Sequence, residues 1–209
     1  MALDITIPVR RKQEQEGPDI KIKEKPQGKQ RDLTLLKIEE GFKQSVYDDT
    51  TGEYIPKGSK IKEDSTIVYP NGKIGGKATI GYGHKVLPVE FDSIYKPGDV
   101  VEKTKLEEQL EKDYDDKKNT IEKIIKSKKI NINDVPQNAL SILIRNAFWG
   151  VSSSNFPTYF NSMLEGRYKT AADNLKFYDP SNPNKGYTNI YKKLKARTER
   201  VMDEILSLY

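Results

Sequence analysis

The chain has 209 residues, with 36 Lys and Arg against 31 Asp and Glu, and its formal net charge is +5 at pH 7. It has no cysteine and one histidine, which excludes disulfides and thiol chemistry and argues against a metal site built from Cys or His. We therefore expect no cofactor and no metal. The length is enough for one or two domains with a hydrophobic core, and no run of residues is long and apolar enough for a membrane span.

Residues 1–31 differ in composition from the rest of the chain. They are rich in Lys, Gln, Glu, Pro and Gly and poor in aromatic residues, a composition that does not support a core. Residues 5–9 and 20–23 alternate apolar and polar positions, a pattern suited to adding a strand to a partner. The first residues also lack the positive leader of a secretory signal. We predict an extended polar arm over 1–31, followed by one domain over 32–209.

A short helix is predicted to end at Glu40. The preceding apolar residues support it, Asp32 is a plausible N-cap, and Gly41 suits the left-handed residue that follows a helix. Glu40 then lies at the negative end of the helix, which favours its protonated form, as a general acid requires. Asp49 follows in a polar turn and should stay ionised. Two carboxylates in unlike environments are typical of glycosidases, but solvated helix-end charges and an ordinary surface turn explain the same residues equally well.

Strands are predicted next, within an α+β lobe over 32–103. They are expected near Ser45–Tyr47, Thr66–Tyr69 and Lys77–Tyr82, and the Asn71-Gly72 pair predicts a hairpin turn. The stretch from Val86 to Val101 contains Pro and Gly at turn positions and is predicted to be irregular.

A helical lobe is predicted over 104–209. Thr104-Lys105-Leu106-Glu107 fits a capping box and indicates a helix that runs to about Lys128. Further helices are expected over 134–149, with Asn133 or Asp134 as the cap and Pro136 in the first turn. The remaining helices are expected over 156–164, 169–178 and 188–208, with a loop over 179–186.

Three motifs together resemble the phage T4-type lysozymes, which are endolysins and muramidases of the glycoside hydrolases. They are Ile38-Glu39-Glu40-Gly41-Phe42, Val46-Tyr47-Asp48-Asp49-Thr50 and Thr79-Ile80-Gly81-Tyr82-Gly83-His84. The family has a Glu, eight residues and an Asp, and then a Thr in a Thr-Ile-Gly-x-Gly-His strand. The segments 139–150, 166–175 and 197–201 are similar to its later helices. One departure is an insertion over Glu53 to Lys77, which would lengthen a hairpin.

The resemblance implies a lysozyme-like α+β fold. A small N-terminal lobe with β-hairpins would join a mostly helical C-terminal lobe through a long helix. It also implies hydrolysis of the β-1,4 bond between N-acetylmuramic acid and N-acetylglucosamine. The residues that the family pattern implies are Glu40 as general acid, Asp49 with Thr79 to hold the attacking water, Arg197 as the partner of Glu40, and Asn174 in the sugar cleft.

Other residues near these positions are given lesser roles. The eight-residue gap favours Glu40 over Glu39 and Asp49 over Asp48. We expect His84 to be structural, paired to an acid behind the cleft as in the family. Phe148 and Trp149 are expected in the core, although either type of ring can stack on sugar.

The resemblance makes bacterial peptidoglycan the expected substrate. No nucleic-acid-binding motif is recognised, so no nucleic-acid partner is expected. Two locations follow: the host cytoplasm until lysis, or a phage particle, in the tail or on the capsid, with a phage structural protein bound through residues 1–31. The alternative is a structural or adaptor component of a phage particle that retains the lysozyme fold.

Overall fold

A computed structural model describes residues 28–177 and 188–208, together with positions 181 and 186. The predicted arm up to residue 27 and most of the predicted loop over 179–186 lie outside the described residues. The helices are α1 (Lys29–Glu40), α2 (Lys103–Ser127), α3 (Gln137–Phe148), α4 (Pro157–Leu164), α5 (Tyr168–Lys176), α6 (Asn189–Lys193) and α7 (Lys195–Leu206). The strands are β1 (Lys43–Asp48), β2 (Lys60–Ile61), β3 (Thr66–Val68), β4 (Ile74–Gly81) and β5 (His84–Lys85).

The strands form one antiparallel sheet in the order β1-β4-β3-β2, with β5 also paired to β4. The predicted turn between β3 and β4 is confirmed, since the Tyr69 N–H donates to the Lys73 carbonyl at 2.9 Å. Strands β2 and β5 are not predicted by the sequence. Each has two residues, too few for the alternation that identifies a strand.

The pairing of β1 with β4 brings the second and third motifs together. Tyr47 lies opposite Thr79 and Asp48 opposite Ala78, and the register shifts between Lys43 and Tyr47. A one-residue slip would turn every side chain to the other face of the sheet. This register therefore decides that Asp48 faces inward, where it is buried, and that Asp49 is exposed.

The long helix α2 contributes to two hydrophobic cores. Its 25 residues span about 37 Å. Near its start, Leu106 packs against the sheet with Val46, Ile67 and Ile80. The rest of its apolar stripe enters the core of the helical lobe, where Leu110, Tyr114, Ile121 and Ile125 are buried. None of the helices in the described part of the chain is long and apolar enough to cross a membrane.

Helix α1 packs with the helical lobe, although it precedes the sheet in the chain. Its Leu33 and Leu36 belong to the same core as α3, α5 and α7. The helix begins at Lys29, so its first turn includes residues of the predicted arm. Lys29 is bonded to Asp115 of α2 at 2.8 Å. The C-terminus of α1 therefore lies at the junction between the helical lobe and the sheet.

The predicted N-cap at Asp32 is wrong. Asp32 lies one turn inside α1 and is fully buried, where it accepts hydrogen bonds from the Tyr114 hydroxyl at 2.7 Å and from the Ser141 hydroxyl. A local cap motif and a buried acceptor use the same residue type, and only the tertiary contacts distinguish them.

Other predicted helix boundaries also need correction. The capping box at Thr104 is wrong, since α2 begins at Lys103 without a side-chain cap bond, and Glu107 pairs instead with Lys37 at 2.9 Å. Pro136 precedes α3, in an extended conformation, and does not lie in its first turn, and no side chain caps that helix. The last predicted helix is broken at Leu194, where φ is −127° and ψ is 40°.

A buried charge cluster joins the helices of this lobe. We call Asp32, Glu39, Arg145 and Glu204 the Arg145 cluster. Arg145 of α3 is 1% exposed, and its guanidinium lies 3.6 Å from the Asp32 carboxylate and 3.8 Å from that of Glu39, with a direct bond to Glu204. Arg145 therefore ties α1, α3 and α7 together, and Arg31 of α1 adds a second ion pair to Glu204 at 2.7 Å.

Candidate active site

Glu40 is the last residue of α1, and Gly41 follows it with a φ of 71°. Its Oε1 atom accepts a hydrogen bond from Trp149 Nε1 at 2.7 Å and one from Arg197 Nη1 at 3.1 Å. The Oε2 atom faces Gly83, because a Cβ built on that glycine would lie 3.3 Å from it. Residues from α1, α7, the end of α3 and the turn after β4 therefore converge on one carboxyl group.

Burial has the largest effect on the pKa of Glu40. Its side chain is 17% exposed. This burial raises the pKa of the carboxyl above its ordinary value, against the lowering effect of the Arg197 charge and of the hydrogen bonds from Trp149 and Arg197. The sequence left open whether Arg197 or desolvation dominates. In the folded protein desolvation dominates, which favours a carboxylic acid that can donate a proton.

Glu39 points away from Glu40 and into the protein. Its side chain is 6% exposed, and its Oε1 atom lies 3.8 Å from the Arg145 guanidinium. Burial raises the pKa of Glu39 as well, while Arg145, Arg197 and Arg200 lower it. Of the two adjacent acids, only Glu40 contacts Trp149 and the Gly83 turn.

Asp48 and Asp49 also separate into an inner and an outer acid. Asp48 accepts hydrogen bonds from the Tyr69 hydroxyl at 2.8 Å, the Thr50 N–H at 2.8 Å and the Gly76 N–H at 3.1 Å. Burial acts to raise the pKa of Asp48, but these hydrogen bonds hold it below its ordinary value. Asp48 is therefore a structural anion at the base of the turn.

Asp49 is exposed and anchored by one oxygen. Its Oδ1 atom accepts a hydrogen bond from the Lys77 N–H at 2.7 Å and another from the Thr50 hydroxyl at 3.3 Å. A side chain at Gly76 would collide with the carboxylates of both Asp48 and Asp49. Gly76 thus allows β4 to pass close beneath the acidic turn, which holds the Asp49 carboxylate at the sheet surface.

Thr79 and Asp49 both form hydrogen bonds to the backbone of Lys77. It lies on β4, is 6% exposed, and its hydroxyl donates to the Lys77 carbonyl at 3.2 Å. The Lys77 N–H is the group that binds Asp49. The N–H of Lys77 thus holds Asp49, and its carbonyl holds Thr79. The Thr79 hydroxyl therefore bonds to the backbone and not to the Asp49 carboxylate.

Tyr47 links the two acids electrostatically. Burial raises the pKa of its hydroxyl, and the negative charges of Glu40 and then Asp49 raise it further. Its ring therefore lies within the field of both carboxylates. No role is predicted for Tyr47 from the sequence, since it has the form of an ordinary strand residue next to the Asp48-Asp49 pair.

A family model described as phage lysozyme matches residues 37–200. The chain belongs to the phage lysozyme family. The matched range begins before Glu40 and ends after Arg197, and membership implies muramidase activity on peptidoglycan, at the cell wall. A comparison with curated proteins found no match. The expected lysozyme-like α+β fold is confirmed by the seven helices and the antiparallel sheet of the described residues.

Trp149 has a contact that the sequence did not indicate. The sequence predicts a core position for it, but it directly follows α3, is half-buried and donates to Glu40. The Arg197 guanidinium lies over its ring, 4.9 Å from the centroid.

Arg197 and Asn174 lie in different parts of the lysozyme domain. Arg197 of α7 contacts Glu40, as the family pattern implies. Asn174 of α5 donates to the Thr170 carbonyl at 2.9 Å and lines a cavity of about 260 Å³. Phe156 lines both that cavity and an apolar hollow of about 370 Å³, which Trp149 also lines. The side chain of Asn174 therefore bonds within its own helix and shares a neighbouring residue, Phe156, with Trp149.

His84 is paired to acids on both sides, in agreement with the expected structural role. Its Nδ1 atom lies 3.0 Å from Asp113 of α2, and its Nε2 atom lies 3.1 Å from Glu90. Burial acts to lower the pKa of the imidazole, but the hydrogen bonds and charges of Asp113 and Glu90 outweigh burial and raise it above its ordinary value. The ring thus connects the sheet to α2.

We expect the stabilising effect of His84 to depend on pH. A histidine whose pKa is raised by folding contributes fully below its unfolded pKa of 6.5, and the contribution is lost as the pH rises through the higher folded value. His84→Asn should therefore lower the free energy of unfolding by about 1–3 kcal/mol near pH 5.5. Urea unfolding should show a smaller difference near pH 9. An equal loss of unfolding free energy at both pH values would contradict a charged His84 paired with Asp113 and Glu90.

Proposed function

We propose that this protein is an inverting muramidase that cleaves the β-1,4 bond between N-acetylmuramic acid and N-acetylglucosamine in peptidoglycan. Glu40 is the general acid, and Asp49 with Thr79 positions the attacking water. The observation that carries the proposal is the Glu40 carboxyl at the junction of the lobes, held by Trp149 and Arg197, with its pKa raised by burial.

The proposed reaction is a single displacement. Glu40 transfers its proton to the glycosidic oxygen while the bond from that oxygen to the anomeric carbon breaks. The water oxygen bonds to the anomeric carbon from the opposite face, and the water proton passes to Asp49. The product has inverted configuration, and exchange with solvent returns the proton from Asp49 to Glu40. An inverting enzyme needs room for this water between its two carboxyl groups.

The surroundings of Asp49 support its role as the base. Its Oδ1 atom is held by the Lys77 N–H, and the exposed carboxylate has its second oxygen available to a water. The Thr79 hydroxyl donates to the Lys77 carbonyl, so its oxygen retains lone pairs that accept from the same water. Arg197 keeps Glu40 in place, and Asn174 offers an amide for an N-acetyl group at a more distant point of the cleft.

The products of digestion test this proposal. Purified peptidoglycan treated with the protein should give new reducing ends on N-acetylmuramic acid, and proton NMR should detect the α-anomer first. Reducing ends on N-acetylglucosamine would show a glucosaminidase, and 1,6-anhydro ends a lytic transglycosylase. A β-anomer formed first would show retention. No cleavage at all would favour the structural or adaptor alternative.

Asp49→Asn should affect mainly activity and Asp48→Asn mainly stability, although the two residues are adjacent. Asp49→Asn should lower kcat by about 100- to 10,000-fold with little change in melting temperature, because it removes only the exposed base. Asp48→Asn should lower the free energy of unfolding by about 1–3 kcal/mol, because it weakens hydrogen bonds to a buried anion. Kinetics and thermal melts on both variants give the comparison. Full activity in Asp49→Asn would remove it from the mechanism.

We also propose that the segment before α1 serves attachment or delivery and not chemistry. The residues of the proposed site lie within 40–197, and the arm composition does not support a core. Either an endolysin or a lysozyme carried on a phage particle by a structural protein fits this proposal. Removing residues 1–27, which keeps Lys29 and its bond to Asp115, should leave the rate on purified peptidoglycan nearly unchanged. Loss of activity in a truncated protein that still folds would place part of the segment at the cleft.

A further inference from the structure

Two hydrogen-bond donors converge on the same oxygen of Glu40. Trp149 Nε1 lies 2.7 Å from Oε1, and Arg197 Nη1 lies 3.1 Å from it. The donors also support each other, because the guanidinium lies 4.9 Å above the indole ring. The Oε2 atom is on the side of Gly83 and receives neither bond. The carboxyl group is therefore held asymmetrically.

We propose that Trp149 is a positioning residue of the reaction, which directs the transferable proton of Glu40 to Oε2 and stabilises the carboxylate that remains after the proton has left. This inference rests on the proposed role of Glu40 as general acid. It gives a function to a residue that neither the motifs nor its place at the end of α3 indicated.

The chemistry of a carboxylic acid supports the choice of oxygen. A neutral carboxyl has one hydroxyl and one carbonyl oxygen, and only the carbonyl oxygen is a good acceptor for two N–H groups. Protonation at Oε1 would set an O–H against the two donors, so the proton belongs on Oε2. After transfer, the bond from Trp149 to Oε1 becomes charge-assisted and the bond from Arg197 becomes an ion pair, so both are stronger. These two hydrogen bonds are thus stronger as the proton leaves than in the bound substrate complex, and interactions of this kind lower the activation barrier of the reaction.

The groups that face Glu40 set the direction of the expected pH effect. Arg197 from α7 bonds Glu40 directly, and the negative charge of Glu40 raises the pKa values of its chain neighbour Glu39, which points away from it, and of Tyr47 from β1. Burial raises the pKa of Glu40, and the Arg197 charge and the indole hydrogen bond lower it. Loss of the indole N–H removes one lowering contribution, so Glu40 should hold its proton to a higher pH.

Trp149→Phe keeps a ring in place and removes the donor. On soluble peptidoglycan fragments, we expect kcat/KM to fall by about 10- to 100-fold on its acid plateau. The alkaline limb of the profile should move to higher pH. Phe148→Leu, which loosens the same end of α3 without removing a donor to Glu40, should leave that limb at the wild-type position. Unchanged activity in Trp149→Phe, or a loss without movement of the limb, would overturn the inference and leave Trp149 as a packing residue.

A second measurement does not depend on catalysis, because Trp149 is the only tryptophan in the chain. Its fluorescence should change as Glu40 titrates in the wild type, and this step should be absent in Glu40→Gln. A wild type without that step, or the same step in Glu40→Gln, would overturn the inference. If the wild type shows the step but does not cleave peptidoglycan, the proposed function fails and the role of Trp149 in the reaction falls with it. If cleavage is normal and the step is missing, only this inference fails.

Discussion

Glu40→Gln is expected to lower kcat on peptidoglycan by about 100- to 10,000-fold, the range over which general acids contribute. The amide keeps the shape of the side chain and still accepts hydrogen bonds from Trp149 and Arg197 at its oxygen, but it has no transferable proton. Release of reducing ends from purified peptidoglycan measures the loss. Glu108→Gln, a change of the same charge on the exposed face of α2, should retain full activity.

The same variant should not lose stability. The pKa of Glu40 is raised by folding from an ordinary value of 4.5, so the folded protein keeps this proton to a higher pH than the unfolded chain does. The contribution of Glu40 to stability therefore falls as the pH rises through that window. At neutral pH the uncharged Gln avoids this cost, and the melting temperature should equal or exceed that of the wild type. Normal turnover by a well-folded Glu40→Gln protein would remove Glu40 from the role of acid.

Arg145→Met should destabilise the domain more than any surface substitution. The change removes the central cation of the Arg145 cluster and leaves Asp32 and Glu39 without it in the core, while Glu204 keeps Arg31 as a partner. Removing one member of a buried ion pair costs about 3–5 kcal/mol, because the remaining charge stays buried without compensation. Urea unfolding at neutral pH measures the effect.

A matched control is available on the surface. Arg167 pairs with Glu165, and both side chains are about half exposed, so Arg167→Met should cost no more than about 1 kcal/mol. The cost of Arg145→Met should also shrink as the pH is lowered, because Glu39, whose pKa burial raises, then takes up a proton and no longer needs the cation. A loss as small as that of the control would mean that Arg145 fills space and does not neutralise the cluster.

The motifs and the elements around them were predictable because they depend on local chain geometry. Gly41 has the positive φ expected after a helix, although its ψ of −175° lies outside the left-handed helical region, and the hairpin at Asn71-Gly72 forms as its turn residues indicate. The alternation that places Asp48 inside and Asp49 outside follows from the period of a strand. The long apolar stripe of α2 likewise indicates which face of that helix is buried, because the spacing of its apolar residues matches the helical period.

What the sequence did not predict depends on contacts between distant residues. Asp32 looks like a cap, but its partners Tyr114 and Ser141 lie 82 and 109 positions away. Trp149 and Glu40 are also 109 positions apart, so no local pattern could reveal the hydrogen bond between them. The balance between burial and Arg197 at Glu40 was open for the same reason, since desolvation depends on how closely the two lobes approach each other.

The packing of α1 with the last helices has a consequence for biosynthesis. A nascent chain emerges with α1 before α7, but the core that covers Leu33 and Leu36 and the cation that faces Glu40 come from residues up to 205. Such contacts between distant parts of a chain form late and slow its folding. The sheet, with its own core around Val46 and Ile67, can be completed while the ribosome is still at work. The surroundings of Glu40 would then be complete only once α7 has emerged, and a chain that stops short of α7 would lack the cation beside this carboxyl group.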